Sequence, residues 1–130
     1  MSELAVEPIR EVDLHADATV AGPRIMVRMA GSADLNGKAR LDRFVAELHE
    51  AAMTLEIEDV LLDVRSLDFL SSSCLASLVS WIAQLSDKDK RARYRIIFRS
   101  DLAQRWQRRS LPALVSFGAG YVMLEADKPV

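Results

Sequence analysis

The stretch VLLDVRSLDFLSSSCLASLVSWI, residues 60–82, changes its period midway. Val60 to Val64 form a short β-branched and leucine-rich run, the pattern of a strand covered on both faces and placed at a sheet centre. Beyond Ser71–Ser73, Leu75, Leu78, Val79 and Ile82 fall three and four apart, which is one stripe of an amphipathic helix. Serine is a favoured N-cap, so this second helix is expected to start within Ser71 to Ser73 and to end in the charged run SDKDKRAR.

Upstream, Val12, Leu14, Ala16, Ala18 and Val20 alternate with polar residues, which predicts a half-buried strand over residues 11–20. AGPR supplies a turn, and Ile25, Val27 and Met29 resume the alternation as the second arm of an antiparallel hairpin that GSADLNG ends. From Lys38, Leu41, Phe44, Val45, Leu48 and Ala52 mark the first helix. Downstream, YRIIF (Tyr94 to Phe98) and YVMLE (Tyr121 to Glu125) read as strands. Between them lies a third helix, capped by Ser100 or Asp101, running through Arg109 and broken at Pro112. The order ββαβαβαβ predicts an α/β fold: one domain over residues 1–130, core about 11–125, with a mixed four- to five-stranded sheet and helices packed on it. Its expected core includes Leu41, Phe44, Leu48, Leu61, Leu75, Leu78, Ile82 and Ile97.

Half of the 130 residues are apolar, enough for a core without disulfides or structural metal. No apolar run approaches the roughly 20 residues of a membrane span, and the N-terminus has no signal-peptide pattern, so the expected location is cytoplasmic. The single cysteine precludes an intrachain disulfide, and His15 and His49 are too isolated to suggest a metal centre. No cofactor is expected. Residues 1–68 hold 14 acids against 7 bases, a net −7, and residues 87–109 hold 9 bases against 3 acids, a net +6. The basic run with Trp106 could offer nucleic acid a phosphate and stacking surface, but no recognised nucleic-acid motif accompanies it. A solvated helix face, or steering toward an acidic protein, accounts for the same residues.

The element order, Gly31 after the second strand, and above all the block DVRSLDFLSSSCLASLVSWI (Asp63 to Ile82) resemble the STAS domain of anti-sigma-factor antagonists. That family places Phe, an apolar residue, then Asp-Ser-Ser-Gly-Leu at the start of its second helix. Aligned on Phe69, Leu70 and Leu75, the family's Asp falls on Ser71, its phosphorylated serine on Ser72, its second serine on Ser73 and its glycine on Cys74. Ser71 and Cys74 therefore depart from the pattern, in charge and in size. The resemblance implies a non-enzymatic regulatory binding module in a partner-switching pathway. Its implied partners are a serine-kinase-type anti-sigma factor or related ATPase and a metal-dependent serine phosphatase. The alternative is a scaffold or sensor module of the same fold that has lost the phosphoswitch and binds its partners constitutively.

The residues themselves constrain these readings. One serine is enough to cap the helix, and a phosphate beside that helix end would gain from the dipole while adding about two negative charges to the surface. Ser72 is thus the candidate phosphorylation site, with Ser71 and Ser73 as substitutes. Ser71, Ser72, Ser73, Cys74 and Trp81 are the candidate partner-binding residues, Trp81 as an aromatic anchor or else as core. A serine hydrolase would need a base and an oxyanion hole, and the chain has no Gly-x-Ser-x-Gly turn.

Overall fold

A computed structural model describes residues 6–86 and 94–126. Along the chain run β1 (Ile9–Arg10), β2 (Leu14–Ala21), β3 (Arg24–Ala33), a 3-10 turn (Leu35–Gly37), α1 (Lys38–Thr54), β4 (Asp59–Leu70), α2 (Ser72–Ser86), β5 (Arg95–Ser100), α3 (Arg105–Phe117) and β6 (Val122–Ala126). One sheet contains all six strands in sequential order, with β1, β2 and β3 antiparallel and β3 through β6 parallel. The expected order is present with one addition: two-residue β1 pairs with the start of β2 and makes six strands where four or five were expected.

Each parallel crossover steps the same way across the sheet, so right-handed connections lay α1, α2 and α3 on one face. That face is the core. Ile25, Val27 and Met29 of β3, Val60, Leu62 and Val64 of β4, and Ile96 and Phe98 of β5 are buried with Leu41, Phe44 and Leu48 of α1 and Leu78, Ile82 and Leu85 of α2. Leu61 and Ile97 are also buried, but they point to the opposite face and lie outside this cluster.

Several expectations need correction. Strand β2 begins at Leu14, leaving Val12 97% exposed in the preceding loop and Val20 exposed near the hairpin. Gly31 lies within β3, which continues to Ala33. On α2 the buried stripe is Cys74, Leu78, Trp81, Ile82 and Leu85, so Cys74 takes the inward place and Leu75 is only partly buried. Helix α3 starts at Arg105 with Gln104 at the N-cap, so neither Ser100 nor Asp101 caps it. Ser100 ends β5, and the Asp101 carboxylate accepts from Ala103 N–H at 3.0 Å in the connecting turn. Nor does Pro112 break α3. Pro112 sits on the exposed side between buried Leu111 and Leu114, where the carbonyl it leaves unbonded in the helix can face water while the apolar contacts persist. The end of the charged run after α2, residues 87–93, lies outside the described residues.

Candidate functional site

The serines sit where β4 meets α2, at the C-terminal end of the parallel strands. Ser71 N–H donates to Ala33 O at 2.8 Å, and the Ser71 hydroxyl accepts from Cys74 N–H at 3.1 Å while Ser71 O receives Leu75 N–H at 2.8 Å. Ser71 is therefore the N-cap. Ser72, the first helical residue, is exposed, and Ser73 is half-buried. Of these two donors only the Cys74 N–H reaches the hydroxyl, while the Leu75 N–H makes the ordinary first helical bond to the backbone carbonyl.

Neighbouring backbone is tied to this corner. Asp34 Oδ1 accepts from Asn36 and Gly37 N–H and so caps the 3-10 turn, while Asp34 O receives the Cys74 thiol at 3.2 Å. Gly31 has φ +99°, and a Cβ there would lie 2.1 Å from Asp13 O, so glycine lets the β1–β2 loop close onto β3. Ser32 N–H then donates to Asp13 O at 2.7 Å. An open groove of about 220 Å³ results, lined among others by Glu11, Val12, Asp13, Asp34 and Asn36. Val12 on its wall, Leu35 (68% exposed) in the 3-10 turn and Phe69 (49% exposed), which pairs with Ser32, leave apolar side chains in water at this end. The groove is acidic. Its Glu11 is paired with Arg40 at 2.8 Å.

Strand β4 reaches the site by an irregular path. Its ladder with β5 stops at Asp63–Arg99, and its register with β3 slips between Arg28 and Ala30 and again between Gly31 and Ser32, each slip inserting an extra β4 residue. Beyond Asp63, side chains from the start of α3 replace the missing strand. Gln107 Nε2 donates to Val64 O at 2.6 Å and Leu67 O at 3.2 Å, Trp106 Nε1 donates to Leu67 O at 2.7 Å, and Gln104 Nε2 donates to Arg65 O at 3.3 Å and Asp68 Oδ1 at 3.1 Å. Gln107 is completely buried, and its Oε1 accepts Asp101 N–H at 2.9 Å. Sequence reasoning missed this clamp; its one signal is two glutamines flanking a tryptophan in an otherwise charged segment.

Cys74 and Trp81 do not belong to the surface. Cys74 is fully buried, which withdraws it from partner contact and from an exposed thiol's chemistry. Trp81 is 1% exposed, and its Nε1–H donates to Tyr94 Oη at 2.6 Å, the same oxygen that shares a hydrogen bond with His49 Nδ1 at 2.7 Å. Burial pushes the Tyr94 phenol above its usual pKa, against the opposing pull of the Trp81 N–H. This is a core network, so the anchor reading of Trp81 is withdrawn. Trp106 is half-buried, and its Nε1–H is committed to Leu67 O. His15 is exposed on β2, on the polar side of the strand. Among the described residues no group of three or more His, Cys, Asp or Glu is arranged to hold a metal ion, and no helix is long and apolar enough to cross a membrane.

A mixed sheet in sequential order, with α2 opening on a serine cap at the end of its central strand, defines a STAS-like fold. Among solved structures the chain is similar to an anti-sigma factor antagonist from Mycobacterium paratuberculosis, with a TM-score of 0.63 and 14% identity over 86% of this chain and 85% of that one. Neither a protein-family model nor a curated protein matches the sequence.

Proposed function

We propose that the protein is a regulatory binding module of the anti-sigma-factor-antagonist kind, whose partner docks on the strand-end surface around Ser72 and is displaced when Ser72 is phosphorylated. The observation that carries this reading is the division of labour among the serines: the Ser71 hydroxyl is occupied as the cap, and Ser72 is exposed beside it. A phosphate on Ser72 lies at the positive end of α2, so the fold tolerates it, while the docking surface gains about two charges. Exposed Val12, Leu35 and Phe69 supply apolar contact, and the acidic groove favours a partner with basic residues. The partner is a serine-kinase-type anti-sigma factor or a related ATPase, and a metal-dependent serine phosphatase resets the switch in the cytoplasm.

The test is incubation with such an ATPase and ATP, followed by phosphosite mapping and binding measurements. Phosphate on Ser72, retained binding by Ser72→Ala and weakened binding by the phosphorylated protein are expected. Binding that is equal in wild type and Ser72→Ala, with no phosphate on Ser71, Ser72 or Ser73, would replace this reading by the constitutive scaffold. A specific observation favours that second reading: Ser71 brings no carboxylate beside Ser72, so the surface lacks the charge that the family's kinases meet.

A further inference from the structure

Helix α3 opens on a cluster of arginines. Arg105, Arg108 and Arg109 are exposed, and among the described residues none of them has an ion pair. By contrast Arg24, Arg95 and Arg99 on the strands, and Arg40 and Arg43 on α1, each meet a carboxylate. Three and four residues apart, the α3 guanidinium groups repel one another, and the helix contains no acidic residue to offset them. They also stand at its positive end, where cations are disfavoured. The stability of α3 therefore does not explain them. Arg108 Nη1 donates to Leu102 O at 3.2 Å, which draws this side chain back over the turn that leads into the helix. The same helix head is stitched to β4, by Trp106 to Leu67 O and by Gln104 to Asp68, beside exposed Phe69. The basic cluster thus adjoins the Ser72 surface on the β5 side, as the acidic groove adjoins it on the β3 side.

We propose that the head of α3 docks an acidic segment of the protein that binds around Ser72, an inference that rests on that reading. The partner then spans the strand end with both signs of charge, basic residues over the groove of Asp13 and Asp34 and acidic residues over Arg105, Arg108 and Arg109. This pattern favours a protein over nucleic acid. The three arginines cover little more than one helical turn, about 6 Å of axis. Asp68 and the acidic groove lie along the same end, so a phosphate chain continuing that way past the cluster meets like charge. A short acidic segment ends where the cluster ends. Exposed charges of this kind act mainly on encounter, so the cluster speeds association more than it slows release.

The test is fluorescence anisotropy of the full chain with a labelled oligoglutamate peptide as the probe, from about 20 mM to about 200 mM salt, beside an oligothymidylate of the same length. Wild type should bind the peptide at low salt, more tightly than the oligothymidylate, and release it as salt rises. Arg105→Glu with Arg109→Glu should weaken peptide binding about tenfold or more, because the cluster turns from net positive to net negative. Arg10→Glu with Arg28→Glu, exposed arginines elsewhere, changes the net charge of the chain equally and should weaken binding much less. Circular dichroism melts confirm that each variant is folded. Ser72→Ala should bind the peptide as wild type does, so a failed phosphoswitch leaves this result standing, and a failed peptide result leaves the phosphoswitch test standing. No peptide binding by wild type, binding that salt does not weaken, equal loss in the two double variants, or loss in Ser72→Ala would each overturn the proposal. Oligothymidylate bound as tightly as the peptide, or more so, would replace it by a nucleic-acid surface.

Discussion

The two halves of β4 belong to one strand but are held by different means. Asp59–Asp63 is paired to β3 on one side and β5 on the other, in unbroken register. Val64–Leu70 keeps β3 with two slips, and on its other side relies on the side chains of Trp106 and Gln107 of α3 and of Gln104 at its N-cap. Regular pairing secures the first half, and the irregular second half turns Phe69 outward and delivers Ser71 to the head of α2. The surface around Ser72 is therefore attached to the least repetitive part of the sheet.

The largest effect should come from the regular half. Leu62→Ala, at a side chain only 2% exposed, should cost about 2–5 kcal/mol in urea unfolding. Next, Gln107→Ala should cost about 1–3 kcal/mol by leaving Val64 O and Asp101 N–H without their buried partner. Amide exchange would sharpen the contrast: protection should fall more over Val64–Leu70 than over Asp59–Asp63. Equal loss in both halves would show that the clamp supports the sheet as a whole. Ser71→Ala should cost about 1 kcal/mol as the cap is lost, and Ser72→Ala less than about 0.5 kcal/mol, as read from thermal melts.

The smallest effect concerns the junction between the halves. The Arg65 guanidinium, bonded to Asp63 at 2.8 Å and 2.9 Å, holds the Asp63 carboxyl below its usual pKa against partial burial, with help from the Arg65 N–H and the charge of Arg28. A carboxylate whose folded pKa is depressed stabilises the fold above the unfolded value of about 4, and that contribution is lost as pH falls through it toward the folded pKa. The stability advantage of wild type over Asp63→Asn should thus shrink in urea melts as pH is lowered from neutral to below 4. An advantage independent of pH would mean that Asp63 acts through its shape rather than its charge.

Periodicity made the regular parts legible. Val60–Val64 reads as a buried strand because it is one, and the change to helical spacing after the serines locates α2 correctly. Past Val64 the bulges cancel alternation, so Arg65, Ser66 and Asp68 look like a loop although the strand continues to Leu70. Cys74, polarity-neutral and small, gave no sign that it rather than Leu75 points inward. The cap itself was narrowed to three serines and no further, because each satisfies the same local chemistry and only the Ser71–Cys74 bond separates them. The α3 clamp depends on contacts some forty residues apart, which leave no local period.

The chain has two tryptophans, and their hydrogen bonds divide them cleanly. Trp81 is sealed in the core against Tyr94, whereas the half-buried Trp106 holds Leu67 O, two residues before Phe69. The molecule thus carries its own pair of optical labels, a reference and a reporter. With Trp81→Phe as the single-label form, a ligand pressing on Phe69 or Ser72 should shift the Trp106 emission, and a change confined to the far end of the sheet should leave its colour unaltered.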